Sequence, residues 1–206
     1  MSQNTNKIAG LILAAGASKR CGTPKQLLPF KGTTLLNYTK KQLSKSLVDS
    51  TFVILGANAS EIVKKSGLKE PEIIVFNEWE QGMGASLAYA CQTILSKEEF
   101  DGILITLTDL PLVGAEHYQK MLQNFTEKED IVATKASSVV GVPALFGASY
   151  FKCLSRLKGS VGAKSILQKN TKHLKTIANK NAGVDIDTME DYQKLLLTMD
   201  HKSSYS

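Results

Sequence analysis

Residues Ile8–Phe30 read IAGLILAAGASKRCGTPKQLLPF, and the fold follows from how that line changes character half-way. Ile8 to Ala15 is a continuous apolar run, which reads as a buried strand. The chain then becomes rich in glycine and cations, with Gly16, Ser18, Lys19, Arg20, Gly22, Pro24 and Lys25. A buried strand ending in such a loop brings backbone N–H groups and positive charge to one point, which is what a polyphosphate requires. Gly16 and Gly22 are free to take positive φ and let the backbone approach a ligand closely. The Arg20 guanidinium suits bidentate contact with phosphate oxygens, whereas Lys25 supplies a point charge.

Two better-known phosphate loops are excluded. A P-loop reads G-x-x-x-x-G-K-S/T. Here five residues separate Gly16 from Gly22, and Thr23-Pro24 follows. The dinucleotide fingerprint G-x-G-x-x-G is absent.

The rest of the chain narrows the class. At 206 residues it is most simply one domain, residues 1–199, with residues 200–206 expected to be a disordered tail. The 43% hydrophobic content is that of a globular protein, and no apolar run approaches the ~20 residues a membrane helix needs. MSQNTNK at the start has no apolar signal core. Cys21, Cys91 and Cys153 are odd in number and far apart, and no C-x-x-C occurs, which argues against zinc and disulfide frameworks. A reducing cytoplasm is the expected location.

Net charge is +6, and no Asp or Glu occurs between Asp130 and Asp185. That interval holds nine cations, from Lys135 to Lys180, and is either a solvated basic face or a surface that attracts an anionic substrate or acidic partner. The cations are scattered without interleaved aromatics, so nucleic acid is not the expected partner.

Apolar β-like runs alternate with helical patterns, which predicts βαβ units and a mainly parallel sheet. Strands are predicted at 51–55, 72–76, 102–107 and 131–134, with a bent strand or hairpin at 138–146 and an edge strand at 175–178. Helices are predicted at 60–66, 85–95, 115–125, 150–157, 162–169 and 189–199. A further helical face joins Leu35, Leu36, Leu43 and Leu47. Ser60 and Gly67 are the expected start and stop of their helix, and Thr188 with Asp191 forms a capping box. His117 is placed on a surface helix.

Three further stretches bear on chemistry. In Ile105–Pro111, ITLTDLP, Asp109 stands where an apolar strand meets a proline-marked loop. A lone carboxylate there can hold Mg²⁺ beside substrate phosphates, or simply cap the next turn. In Val184–Asp191, VDIDTMED, the helix dipole alone accounts for Glu190 and Asp191, while Asp185 and Asp187 precede the helix and are freer. Asn77–Leu87, NEWEQGMGASL, reads on its residues as loop-to-helix punctuation, with Gly82 and Gly84 turning and Ser86 opening a helix.

Leu13-Ala14-Ala15-Gly16-x-Ser18-x-Arg20-x-Gly22-x-x-Lys25, followed by Gln26-Leu27-Leu28-Pro29, resembles the signature of the MobA-like nucleotidyltransferases. Its Ala-Ala-Gly form is most similar to the molybdenum cofactor cytidylyltransferase branch. The resemblance extends from Ile8 to about Leu197. It implies a Rossmann-like three-layer α/β/α sandwich with a mixed, mostly parallel sheet, of the nucleotide-diphospho-sugar transferase type. It implies that Leu13, Ala14, Ala15, Gly16, Ser18, Arg20 and Lys25 hold the nucleotide, and that Gly82, Met83 and Ser86 contact its base and ribose. It implies a divalent ion, Mg²⁺, on Asp109 and on a second carboxylate. That second carboxylate is assigned to Asp187, with Asp185 less favoured. Arg20, Lys25 and Asp109 are the implied catalytic residues.

Gly141-Val142-Pro143 and Gly159–Lys164 resemble the family's acceptor segments, which puts Gly141, Pro143, Gly162 and Lys164 near the acceptor. Here Ser160 stands where Asp is usual, Lys164 where Arg is usual, and Cys21 where Met is usual. The implied reaction moves CMP from CTP to the phosphate of molybdopterin, with a molybdoenzyme as a possible partner. The sibling readings are a GTP-using guanylyltransferase and a cytidylyl- or uridylyltransferase acting on a sugar or polyol phosphate. A reading of another class is a molybdenum cofactor carrier without catalysis.

Overall fold

The computed structural model describes residues 6–203. Strand β1, Ile8–Ala14, lies at the middle of a seven-stranded sheet. Six of its seven residues are buried, because layers of helix cover both faces. Strands β2 (Pro29–Phe30) and β3 (Thr33–Thr34) form a separate small hairpin. The other strands are β4 (Ser50–Leu55), β5 (Ile73–Val75), β6 (Gly102–Leu107), β7 (Ile131–Ala136), β8 (Val139–Gly147) and β9 (Leu174–Ala178). Their order is β5-β4-β1-β6-β8-β7-β9, and only β8 runs against the rest. The sheet is therefore mixed and mostly parallel, as expected.

Alternate side chains of each central strand go to opposite layers. Leu11, Ile54, Ile103 and Ile105 pack with helix α3 (Met83–Lys97) and with the short helices α5 (Phe151–Leu154) and α6 (Lys164–Lys169). Ile12, Val53, Leu55 and Leu104 pack with α1 (Leu35–Ser44), α2 (Ala59–Ser66) and α4 (Ala115–Gln123). Helix α7, Met189–Ser203, lays Tyr192 and Leu195 against Phe30 of the hairpin.

From β1 the chain moves outward through β4 to β5, then returns across β1 to β6. The connections after β1 and β6 therefore diverge, and a crevice opens beyond adjacent strand ends. Leu13 pairs with Leu107, so the glycine loop and Asp109 leave the sheet side by side.

Several expectations change. Helix α1 stops at Ser44, and Leu47 sits at φ +73° and is exposed, outside the helical face assigned to it. Helix α2 starts one residue before Ser60, with Asn58 at φ +57° preceding it, while Gly67 ends it at φ +67° as expected. His117 is buried, not on the surface; its Nε2 lies 2.7 Å from the Thr134 hydroxyl. The stretch expected at 138–146 forms one strand, Val139–Gly147, whose hairpin partner is the preceding β7, and the register slips around Val142-Pro143. Helix α7 runs to Ser203, so the start of the tail expected to be disordered is helical; Ser204–Ser206 lie outside the described residues.

Candidate active site

The crevice is a cavity of about 360 Å³. Leu13, Ala14, Ala15 and Gly16 line it from the end of β1, Leu107, Thr108 and Asp109 from the end of β6, and Gly82, Met83 and Ser86 from the start of α3. Lys25 lines it as well. The tertiary structure thus gathers three stretches that are far apart in sequence.

The loop is held by its own polar groups. Ser18 takes φ +52°, and its hydroxyl accepts from the Lys25 N–H at 3.1 Å. Gln26 is fully buried; its Nε2 donates to Ala14 O at 2.7 Å and Gly16 O at 3.2 Å. That amide replaces the sheet partners the backbone has lost beyond the strand end.

Lys25 closes the charged end. Its ammonium lies 2.5 Å from Asp109 Oδ2 and 3.8 Å from Asp187 Oδ1, and it donates to Ile186 O at 3.3 Å. Arg20 reaches Asp187 Oδ2 at 3.0 Å from a mostly exposed position. Asp187 is brought there by the backbone, since the Ile186 N–H donates to Asp109 O and the Ile186 side chain is fully buried. The capping box then sets the end of the segment: Asp191 Oδ2 accepts from the Thr188 N–H at 2.8 Å, and the Asp191 N–H donates to Thr188 Oγ1. Asp185 is exposed and, among the described residues, forms no ion pair.

Burial pushes the Asp109 carboxyl above its usual range, and Lys25 opposes that rise. Asp109 Oδ1 is buried without a hydrogen-bond partner. An orphaned carboxylate oxygen beside a second carboxylate is a donor set that fits a hard cation. Among the described residues no third acidic, His or Cys side chain completes a cage. A cation here would take waters and ligand oxygens for the rest of its shell, as Mg²⁺ does.

The family model for the MobA-like NTP transferase domain matches residues 10–176. The chain belongs to that family. This MobA-like protein is a nucleotidyltransferase. It is 26% identical to nicotine blue oxidoreductase of Paenarthrobacter nicotinovorans, over 92% of this chain and 96% of that protein. It is 28% identical to the purine catabolism protein PucB of Bacillus subtilis (strain 168), over 93% and 97% of the two chains. The crystal structure of Rv0371c from Mycobacterium tuberculosis H37Rv matches with TM-score 0.80 and 29% identity, covering 94% of this chain and 99% of that one. Rv0371c has also been solved in complex with manganese.

The residues matched to the acceptor are more dispersed in this MobA-like fold. None of Gly141, Pro143, Gly162 and Lys164 lines the main cavity. Gly162 packs under Met83, where a Cβ would lie 3.2 Å from the Met83 sulfur. Lys164 borders a second groove with Val139, Val140 and Gln168. Gly141 and Pro143 lie in β8 before Ala144, the residue at which its pairing with β6 ends, opposite Ile105.

Cavity residues that sequence reading did not single out are Gln26, Ile54, Glu80, Leu107 and Thr108. Gln26 carried a signal, being a lone amide inside an otherwise apolar K-x-L-L-P run. Trp79 depends on Gly56, where a Cβ would lie 2.4 Å from the Trp79 Cβ. Nothing local in the sequence links those two.

Proposed function

We propose that this protein transfers CMP from CTP to the phosphate of molybdopterin and releases pyrophosphate. The observation that carries the transfer chemistry is the convergence of Lys25, Asp109 and Asp187 at the mouth of the cavity lined by the glycine loop. The choice of CTP rests on Ala14-Ala15-Gly16, the form resembling the cytidylyl branch. Its membership of the MobA-like family supports an NTP donor.

In this reading Gly16, Ser18, Arg20 and Lys25 hold the triphosphate, and Gly82, Met83 and Ser86 border its base and ribose. An oxygen of the acceptor phosphate bonds to the α-phosphorus, the bond from that phosphorus to the β-phosphate oxygen breaks, and pyrophosphate leaves. A phosphate monoester has a second pKa near ~6, so at neutral pH the nucleophile is already largely ionised and needs no strong base. What remains is positioning and neutralisation of charge. Lys25 and Arg20 meet charge developing on the departing pyrophosphate. Asp109 and Asp187 would hold a divalent ion, proposed as Mg²⁺, which supplies electrostatic stabilisation of the phosphate oxygens. The manganese complex of Rv0371c supports a metal in this fold. Gly141, Pro143, Gly162 and Lys164 would border the acceptor, and the basic face between Asp130 and Asp185 would receive an acidic molybdoenzyme.

The test is pyrophosphate release with Mg²⁺ and molybdopterin, comparing CTP with GTP. Release with CTP alone is the expected result. Release with GTP alone would keep the mechanism and overturn the nucleotide. No release with either, from protein that binds Mg-NTP, would overturn the acceptor and turn the search to sugar or polyol phosphates.

A further inference from the structure

Lys25 is surrounded by oxygens, although its expected partners are phosphates. Asp109 Oδ2, Ile186 O and Asp187 Oδ1 lie at 2.5, 3.3 and 3.8 Å from its Nζ. Carboxylate and carbonyl oxygens are the donors that hard divalent cations take. Its side chain is only 18% exposed, so solvent screens these contacts weakly. The ammonium thus occupies the donor set assigned above to the metal, yet it leaves Asp109 Oδ1 unpartnered.

We infer that Lys25 is a placeholder cation, filling the divalent-ion site of the free enzyme and leaving it for the nucleotide phosphates. This rests on the site proposed above for Asp109 and Asp187. A divalent ion and an ammonium repel each other at contact distance, so the ion enters only as Lys25 leaves. In the free protein the departing ammonium exchanges buried carboxylate contacts for water. With a triphosphate in the loop it exchanges them for phosphate oxygens. Metal binding is therefore weak alone and strengthens once the nucleotide is seated. The coupling is reciprocal: the metal raises nucleotide affinity by the same factor.

The experiment measures Mn²⁺ binding without nucleotide, by the loss of free-ion paramagnetic resonance signal, for the wild type and Lys25→Met. Lys19→Met is the control; it removes one exposed charge from the same loop that, among the described residues, forms no ion pair. The expected result is tighter Mn²⁺ binding for Lys25→Met by about 5- to 150-fold, the usual span of coupling between ligands, with little change for Lys19→Met. Equal gains in both variants would reduce the effect to net charge and overturn the inference. Adding Asp109→Asn to Lys25→Met should abolish the gain. Gain retained in that double variant would place the metal elsewhere and overturn the proposed site itself. If Lys25→Met does not fold, a crystal of the wild type soaked in Mn²⁺ decides. The ammonium is expected to have left Asp109 Oδ2, and an ammonium still in place beside bound metal overturns the inference.

Discussion

The Gln26 amide donates to Ala14 O at 2.7 Å, so the loop is tied at its far end to the strand from which it leaves. The same nitrogen reaches Gly16 O at 3.2 Å. One buried side chain thereby sets the aperture of the loop that borders the cavity. Gln26→Leu removes the donor to Ala14 O, which is buried, whereas Gly16 is exposed to water. It should lower stability by about 1–3 kcal/mol, the cost of an orphaned buried polar group. It should also raise KM for the nucleotide by a larger factor than it lowers kcat; urea unfolding reads the first effect and saturation kinetics the second.

Asp109→Asn keeps the side-chain shape and leaves Lys25 its contacts with Asp187 and Ile186 O. The variant should fold, as read by circular dichroism. Turnover should fall about 10²–10³-fold, the loss typical when one preorganised electrostatic group is removed. A folded variant with retained turnover would contradict the role given to Asp109.

Gly82 takes φ +106°, and a Cβ there would lie 2.6 Å from Gly159 O. Gly82→Ala must therefore move either the start of α3 or the Gly159–Gly162 segment. Gly32 also has positive φ, +77°, but open space around it, so Gly32→Ala pays only the backbone term of roughly 1–2 kcal/mol. Gly82→Ala should cost more than Gly32→Ala in thermal unfolding, and it alone should weaken nucleotide binding.

Burial holds the His117 imidazole down to about 4, and Lys120 adds to the effect. The Thr134 hydroxyl donates to Pro143 O at 2.7 Å, so its oxygen accepts from a neutral His117. The unfolded chain binds the proton at its ordinary value near 6.5, so between 6.5 and about 4 the unfolded state carries more protons than the folded one. Stability should therefore fall as pH drops through that window. Denaturant unfolding of the wild type and His117→Gln from pH 7 to pH 4 checks this; the slope should be shallower in the variant.

Much of the sheet was legible because burial on both faces leaves a local mark. β1, β4 and β6 are short apolar runs between turn residues, and each appears within a residue or so of its reading. The β2–β3 hairpin left no such mark, since each strand is two residues long and its stability comes from Tyr192 and Leu195 of distant α7. His117 was misplaced because a polar residue at a helix position reads as exposed unless a buried partner is known, and Thr134 lies on another element. Leu47 failed for the opposite reason: helical spacing continues past Lys45, but the backbone turns to positive φ and carries the side chain outward.

The sequence by itself determined a buried strand that runs into a cationic glycine loop, an aspartate at the end of another buried strand, and a capped terminal helix. Each is a local pattern of burial, turn chemistry or capping, written in neighbouring residues. Only the tertiary structure decided that Lys25 meets Asp109 across 84 positions, that Asp187 and not Asp185 faces them, and that the segment expected at the base abuts Gly159. Those meetings depend on strand order and register, which place β1 beside β6 and dock Ile186 on the Asp109 turn. Order and register are set by how whole layers pack, and no single stretch of residues encodes them.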